Sequence, residues 1–230
     1  MRNLAVIPAR GGSKRIPRKN IADFAGKPML AHSLAAALDS GCFDRIVVST
    51  DDEEIAAVAR AYGADVPFLR PAELADDHTG TTAVVQHMVQ ALAHENYDAV
   101  CCIYATAPFL TAEILREGRD ALRSSGRSYA FGVAAFPAPI QRALRVRPDG
   151  AVEPLWPENV MARSQDLEPT YHDAGQFYWG RTDAWIAAEQ VHSPSSMPVI
   201  VPAHRVQDID TPEDWVRAEY LYAALQSEAR

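Results

Sequence analysis

At 230 residues the chain is most simply one domain, residues 1–230, with room for a full hydrophobic core. A net charge of −8, with no basic helix and no polybasic tail, excludes a nucleic-acid coat or a binder of anionic membranes. No apolar run approaches the ~20 residues of a membrane span, and Met1-Arg2-Asn3 leads into a strand pattern rather than a signal sequence, so a cytoplasmic protein is expected. Cys42, Cys101 and Cys102 have neither metal-knuckle nor disulfide-framework spacing and read as buried thiols.

Leu4 to Ile7 is a short apolar run ended by Pro8, the pattern of a first buried strand, and a loop follows to Asn20. Pro28 opens a helix in which Leu30, Leu34, Ala37 and Leu38 recur at helical spacing until Gly41. Ile46-Val47-Val48 is a second buried strand. Thr50 or Asp51 then offers a cap for a helix buried through Ile55, Val58, Ala59 and Tyr62 and stopped at Gly63. A β-loop-α-β-α order this early predicts an α/β fold with a doubly wound, mostly parallel sheet. Val66 to Leu69 reads as a short third strand delivering Arg70-Pro71, and Ala72 to Gly80 as an irregular acidic stretch. Thr79, Thr81 and Thr82 offer caps for a helix carrying Val85, Met88, Val89 and Leu92. Ala99 to Tyr104 has no charge and fits a central strand buried on both faces. Thr111 caps the next helix, with Ile114, Leu115, Gly118 and Leu122 inside, and Tyr129 to Phe136 is the strand after it. From Pro137 to Pro169, six prolines, Arg142, Arg145, Arg147 and a Pro148-Asp149-Gly150 turn fit hairpins better than a βαβ unit. Gly175 to Gly180 is an aromatic strand and Val199-Ile200-Val201 the last one. Thr211-Pro212-Glu213-Asp214 opens a closing helix that buries Trp215, Ala218, Leu221, Tyr222 and Leu225.

Chemistry concentrates in the loop after the first strand. Arg10, Lys14, Arg15, Arg18 and Lys19 stand within ten residues of one another in an otherwise acidic chain, beside Gly11 and Gly12. Glycine-rich backbone with cations can cradle a polyphosphate, and open α/β sheets bind ligands at the carboxyl ends of their strands. The loop is neither GxxxxGK[ST] nor GxGxxG. Lys14, Arg15 and Arg18 read rather as solvated flank charges than as ligand groups. A second constellation is Asp208 and Asp210: residues i and i+2 of an extended segment face the same way, and two hard oxygen donors suit Mg²⁺ beside phosphate oxygens. The competing reading makes Asp210 or Thr211 a plain helix cap. The seven histidines show no HxH or HExxH spacing, and Ser13 lies in no nucleophile elbow.

Ile7-Pro8-Ala9-Arg10-Gly11-Gly12-Ser13-Lys14, with Lys19-Asn20, resembles the signature loop of the sialic-acid-type (acylneuraminate) cytidylyltransferases, which join CMP from CTP to the anomeric oxygen of a 2-keto sugar acid. The likeness runs over nearly the whole chain. Tyr104-Ala105-Thr106-Ala107-Pro108, Arg163-Ser164-Gln165-Asp166-Leu167 and Tyr171-His172-Asp173-Ala174-Gly175-Gln176-Phe177-Tyr178-Trp179 are similar to the branch that acts on pseudaminic acid. The resemblance implies a nucleotide-diphospho-sugar transferase-like fold, CTP and a nine-carbon 2-keto sugar acid as substrates, Mg²⁺ as cofactor, a homodimer, and a product used in surface-glycan or flagellin glycosylation. It implies that Arg10 and Lys19 act on the triphosphate with a metal on Asp208 and Asp210, while Ala9, Gly11, Gly12, Ser13, Asn20, Arg70 and Thr79 hold CTP. For the sugar it implies Tyr104, Arg142, Arg163, Gln165, His172, Gln176 and Tyr178, with Arg142 within a residue of a family lysine and His172 open between an N-acyl contact and a structural role. Residues 137–172 would form an inserted lid and dimer arm that crosses to the partner. Tyr104 stands where sialic acid enzymes carry a glutamine, and the added aromatic surface suits a deoxy sugar with acylamino and methyl groups. The rival readings are the same transfer to sialic or legionaminic acid, and a CTP-binding regulator without turnover.

Overall fold

A computed structural model describes residues 1–76 and 79–228. Asp77 and His78, inside the irregular stretch expected between Ala72 and Gly80, lie outside the described residues. β1 (Asn3–Pro8) is the apolar run near the start of the chain, and the loop after it closes with a small ribbon, β2 (Asp23–Phe24) and β3 (Lys27–Pro28). α1 (Met29–Ser40) follows Pro28 directly and ends at Gly41. β4 (Arg45–Ser49) leads to α2 (Glu53–Ala61). α3 (Thr81–Ala91), β5 (Ala99–Ile103), α4 (Ala112–Ser125) and β6 (Tyr129–Ala135) continue the alternation. A short hairpin, β7 (Leu144–Val146) with β8 (Val152–Pro154), replaces any βαβ unit in the proline-rich stretch. The chain returns through β9 (Tyr171–Arg181), α5 (Thr182–Ile186), β10 (Ser196–Ile200) and α6 (Pro212–Glu228).

Among the described residues the main sheet has six strands in the order β10-β6-β9-β5-β1-β4. β1 pairs in parallel with β4 and β5, and β6 with β10, whereas β9 runs antiparallel between β5 and β6. The central strands bury both faces, as continuous apolar runs must. One face is covered by α1, α2 and α4 through Leu30, Leu34, Ile55, Ala59, Leu115 and Leu122. The other is covered by α3 and α5 through Val85, Met88, Val89 and Trp185. α6 packs Ala218, Trp215 and Tyr222 onto Phe24, Met29 and Phe109, so the expected buried stripe of this helix is present.

Three local expectations need correction. Val66 to Leu69 is not a strand: only Asp65 bridges to Val47, and Pro67, with no N–H to donate, follows at the sheet edge. The cap of α2 is neither Thr50 nor Asp51 but Asp52, whose carboxylate accepts from Glu54 N and Ile55 N at 3.0 Å each. α3 is preceded by Gly80 with no side-chain cap, so none of the nearby threonines serves as one. Thr111, in contrast, caps α4 as expected, accepting from Ile114 N at 3.3 Å.

Candidate active site

The carboxyl ends of β1 and β5 open onto a cleft of about 490 Å³. Arg10, Ser13, Lys14, Arg15, Lys19 and Asn20 reach it from the loop after β1; Arg70, Thr79, Thr81, Tyr104 and Asp210 complete the wall. The loop is held by its own backbone and by the β4–α2 corner. Ala9 N donates to Ser49 O at 2.9 Å, and the buried Asn20 donates from Nδ2 to Arg10 O at 2.9 Å. Gly11 N donates to Asp51 Oδ1 at 3.0 Å, and a Cβ at Gly11 would lie 2.8 Å from Asp52 Oδ2, so only glycine fits this approach. Arg18 grips Asp52 and Glu54. That guanidinium, more than the two backbone donors, holds the Asp52 carboxyl below the usual carboxylate range.

Arg70 is the most unusual group on the wall. It is 6% exposed, its Nη2 is 3.6 Å from Asp51, and neither Nε nor Nη2 has a hydrogen-bond partner among the described residues. Burial lowers its guanidinium pKa, yet arginine stays cationic at any pH of interest. A buried cation with unspent donors beside an open cleft is matched to an acceptor-rich ligand.

Asp208 and Asp210 flank Ile209, which is 1% exposed and anchors the segment in the α6 core. Loss of hydration raises the Asp208 pKa, and the nearby charge of Asp210 raises it further. Lys19 Nζ donates to Ile209 O at 2.7 Å and lies 3.4 Å from Asp210, and Arg15 lies 2.8 Å from the same carboxylate. The helix cap falls to Thr211 and not to Asp210: Thr211 Oγ1 accepts from Asp214 N at 3.2 Å while Asp214 Oδ2 accepts from Thr211 N at 2.9 Å. The Asp210 carboxylate therefore faces the cleft. No group of three or more His, Cys, Asp or Glu side chains with metal-site geometry occurs among the described residues. Of the two carboxylates only Asp210 lies on the cleft wall, with the exposed Asp208 two residues before it; hard oxygen donors of this kind suit a divalent cation that completes its shell with water and phosphate oxygens.

The residues expected to meet the sugar do not all assemble. Tyr104 lines the cleft, its hydroxyl 3.5 Å from Thr81 Oγ1, and its ring leans on Tyr178 at 5.4 Å between centroids. Tyr178 faces a neighbouring cavity rather than the cleft. Gln176 is buried in β9, with Nε2 donating to Arg205 O at 2.5 Å, and is absent from both walls. His172 packs on Phe136 with Nδ1 2.9 Å from Asp173 O and lies on neither wall. Arg142, Arg163 and Gln165 are exposed on the projecting β7–β8 region, where Arg163 pairs with Asp166 at 2.8 Å, and within one chain they do not reach the cleft. Ala9 is buried, and neither Gly11 nor Gly12 forms part of the wall. Sequence reasoning missed Asp51 and Asp52 as holders of the loop. The Ser49-Thr50-Asp51-Asp52 run at a strand's carboxyl end, the sheet's ligand edge, is the available signal.

Residues 4–150 match the family described as cytidylyltransferase. The chain is 46% identical over 224 residues to a pseudaminic acid cytidylyltransferase of Campylobacter jejuni, covering 96% of this chain and 97% of the relative. It is 36% identical over 233 residues to a CMP-N,N'-diacetyllegionaminic acid synthase of Legionella pneumophila, covering 96% of each. Among solved structures, a CMP:2-keto-3-deoxy-manno-octonic acid synthetase complexed with CTP superposes with a TM-score of 0.73 at 20% identity, over 97% of this chain and 99% of that one. At that identity the likeness concerns the fold.

Proposed function

Because the chain belongs to the cytidylyltransferase family, we propose that it transfers CMP from CTP to a nonulosonic acid, and that the acid is pseudaminic acid. The observation that carries the reading is the meeting, in one cleft, of the loop cations with Asp210, Lys19 standing 3.4 Å from its carboxylate. The 46% identity to the Campylobacter jejuni enzyme supports the choice of sugar. In this reading Arg10, Lys19 and the loop around Ser13 neutralise the triphosphate, while Asn20, Arg70 and Thr79 hold the nucleoside end. Asp208 and Asp210 would hold Mg²⁺, which supplies positive charge beside the phosphates when bound. The anomeric hydroxyl attacks the α-phosphorus in line. A sugar O–P bond forms, the bond to the bridging oxygen of the β-phosphate breaks, diphosphate leaves, and the hydroxyl proton passes to solvent. Catalysis is then placement and electrostatics, without a covalent enzyme intermediate.

The sugar carboxylate requires a cation, and Arg163, Arg142 and Gln165 would come from the partner's arm in a homodimer. Their exposure on either side of a hairpin with bare apolar side chains supports this arrangement. The reaction belongs in the cytoplasm, where CTP is made, and its product is an activated sugar for surface-glycan or flagellin glycosylation.

The test is diphosphate release and CMP-sugar mass on mixing enzyme, CTP and Mg²⁺ with pseudaminic, legionaminic or sialic acid. Release with pseudaminic acid well above the others is expected. Equal use of sialic acid would overturn the sugar assignment, and CTP binding without release in any mixture would make the protein a regulator.

A further inference from the structure

The last residue of β4 and the two that follow it tie together two separate parts of the cleft. Ser49 O accepts from Ala9 N at 2.9 Å, so the loop after β1 hangs from it. Thr50 O accepts from Arg70 N at 2.7 Å, so the segment that carries Arg70 hangs from the next residue. Asp51 then joins the two through its side chain. Its Oδ1 accepts from Gly11 N at 3.0 Å, and the same oxygen lies 3.6 Å from Arg70 Nη2. Ser49 and Thr50 are fully buried, and Asp52, fixed as the cap of α2, anchors the far side. None of these four residues lines the cleft, so Asp51 acts on a bound nucleotide through Gly11 and Arg70.

The two neighbouring carboxylates are used differently. Asp52 is fully engaged: it caps α2, and both of its oxygens accept from the Arg18 guanidinium. Asp51 is held loosely. One oxygen serves a backbone N–H, and 3.6 Å is longer than a hydrogen bond to the guanidinium. A buried cation needs a countercharge while the cleft is empty, and Asp51 supplies it. A close two-pronged pair would have consumed the donors that an acceptor-rich ligand needs. The loose one leaves Nε and Nη2 of Arg70 without hydrogen-bond partners, yet fixes how far the guanidinium stands from the loop. Donors already in place cost nothing to order when the ligand arrives.

We propose that Asp51 is a positioning residue for CTP: its Oδ1 sets the spacing between the phosphate loop at Gly11 and the buried Arg70 guanidinium before the nucleotide binds. The inference rests on the proposed use of CTP in this cleft. It gives a role in nucleotide affinity to a carboxylate that stands behind the wall, and it leaves the sugar side untouched.

The test is a double-mutant cycle on the full chain, with wild type, Asp51→Ala, Arg70→Met and the combined variant, and with Asp51→Asn beside them. CTP binding by titration, KM for the sugar and kcat are measured for each. Asp51→Ala should weaken CTP binding about tenfold or more while the sugar KM stays within about twofold of wild type. In the Arg70→Met background the same change should cost about threefold or less, because the cation it positions is gone. Asp51→Asn keeps an acceptor for Gly11 N and should bind CTP between wild type and Asp51→Ala. Equal losses in both backgrounds overturn the proposal, since Asp51 would then act independently of Arg70. So do an unchanged CTP affinity in Asp51→Ala, an Asp51→Asn variant that binds no better than Asp51→Ala, and a joint fall of CTP and sugar affinity, the mark of a merely structural corner. A wild type that binds no CTP removes the parent reading instead; variant behaviour on a CTP-binding wild type tests Asp51 alone.

Discussion

The acidic pair and the buried arginine make opposite demands on single residues. Asp214 and Thr211 carry the cap of α6, so Asp210 contributes its charge to the cleft and little to the helix. Asp210→Asn keeps size and polarity but removes that charge. Turnover should fall on the order of 10²-fold or more, with the ligand-free melting temperature nearly unchanged; survival of activity in the steady-state assay would return Asp210 to a structural role. Arg70 predicts the reverse asymmetry. Its guanidinium is buried with donors unspent, and its one ion-pair partner among the described residues, Asp51 at 3.6 Å, is partly exposed, so an apolar group of similar volume removes a buried charge without leaving a buried unpaired carboxylate. Arg70→Met should therefore melt at the same or a higher temperature than wild type, while CTP affinity in a titration drops by about tenfold or more. A variant that melts lower and binds CTP normally would show that Arg70 serves the fold.

At the scale of elements, the phosphate loop is clasped to the start of α2 by Arg18 across Asp52 and Glu54. Arg18 depresses the Asp52 pKa in the folded protein, so protons bind more readily to the unfolded chain. The contribution of the clasp is fully present above the ordinary carboxylate pKa and is lost as pH falls through the depressed value. Melting temperature followed from pH 6 down to pH 3, about the span of the ordinary carboxylate pKa, should fall less steeply for Arg18→Ala than for wild type, and the difference should shrink in high salt because both side chains are partly exposed. Identical acid limbs would mean that the clasp adds nothing. The same corner shows what the sequence made legible. Burial periodicity placed β1, β5 and α4, the loop position pointed to Arg10 and Lys19, and only the family resemblance pointed to Asn20 and Arg70; all four line one cleft. Choosing among Thr50, Asp51 and Asp52 for the cap depended on where Gly11 and Arg18 would lie, contacts made across some forty residues of chain. The bonds of Asp173 to Tyr178 and His192 were equally hidden, since they arise from a bend in β9 that no local pattern announces.

The whole molecule leaves an apolar surface uncovered. Leu144, Val146, Val152 and Met161 on and after the hairpin are all more than half exposed, a cluster that a lone soluble chain rarely presents. Val146→Asp combined with Met161→Asp should turn a dimer into a monomer in sedimentation velocity. If the partner supplies the carboxylate-binding arginines, as proposed, CTP binding should persist in that monomer while sugar turnover is lost. A monomeric wild type, or a monomeric variant with full turnover, would refute the shared site. The antiparallel course of β9 has another consequence, for how the chain reaches its fold. Until β9 emerges from the ribosome, β4-β1-β5 and β6 have no partner on their facing edges, and β10 is not yet made. Pairing across that gap is non-local and late. The nascent chain therefore carries two open strand edges through the synthesis of the entire arm, the interval in which it is most exposed to aggregation and most dependent on chaperones.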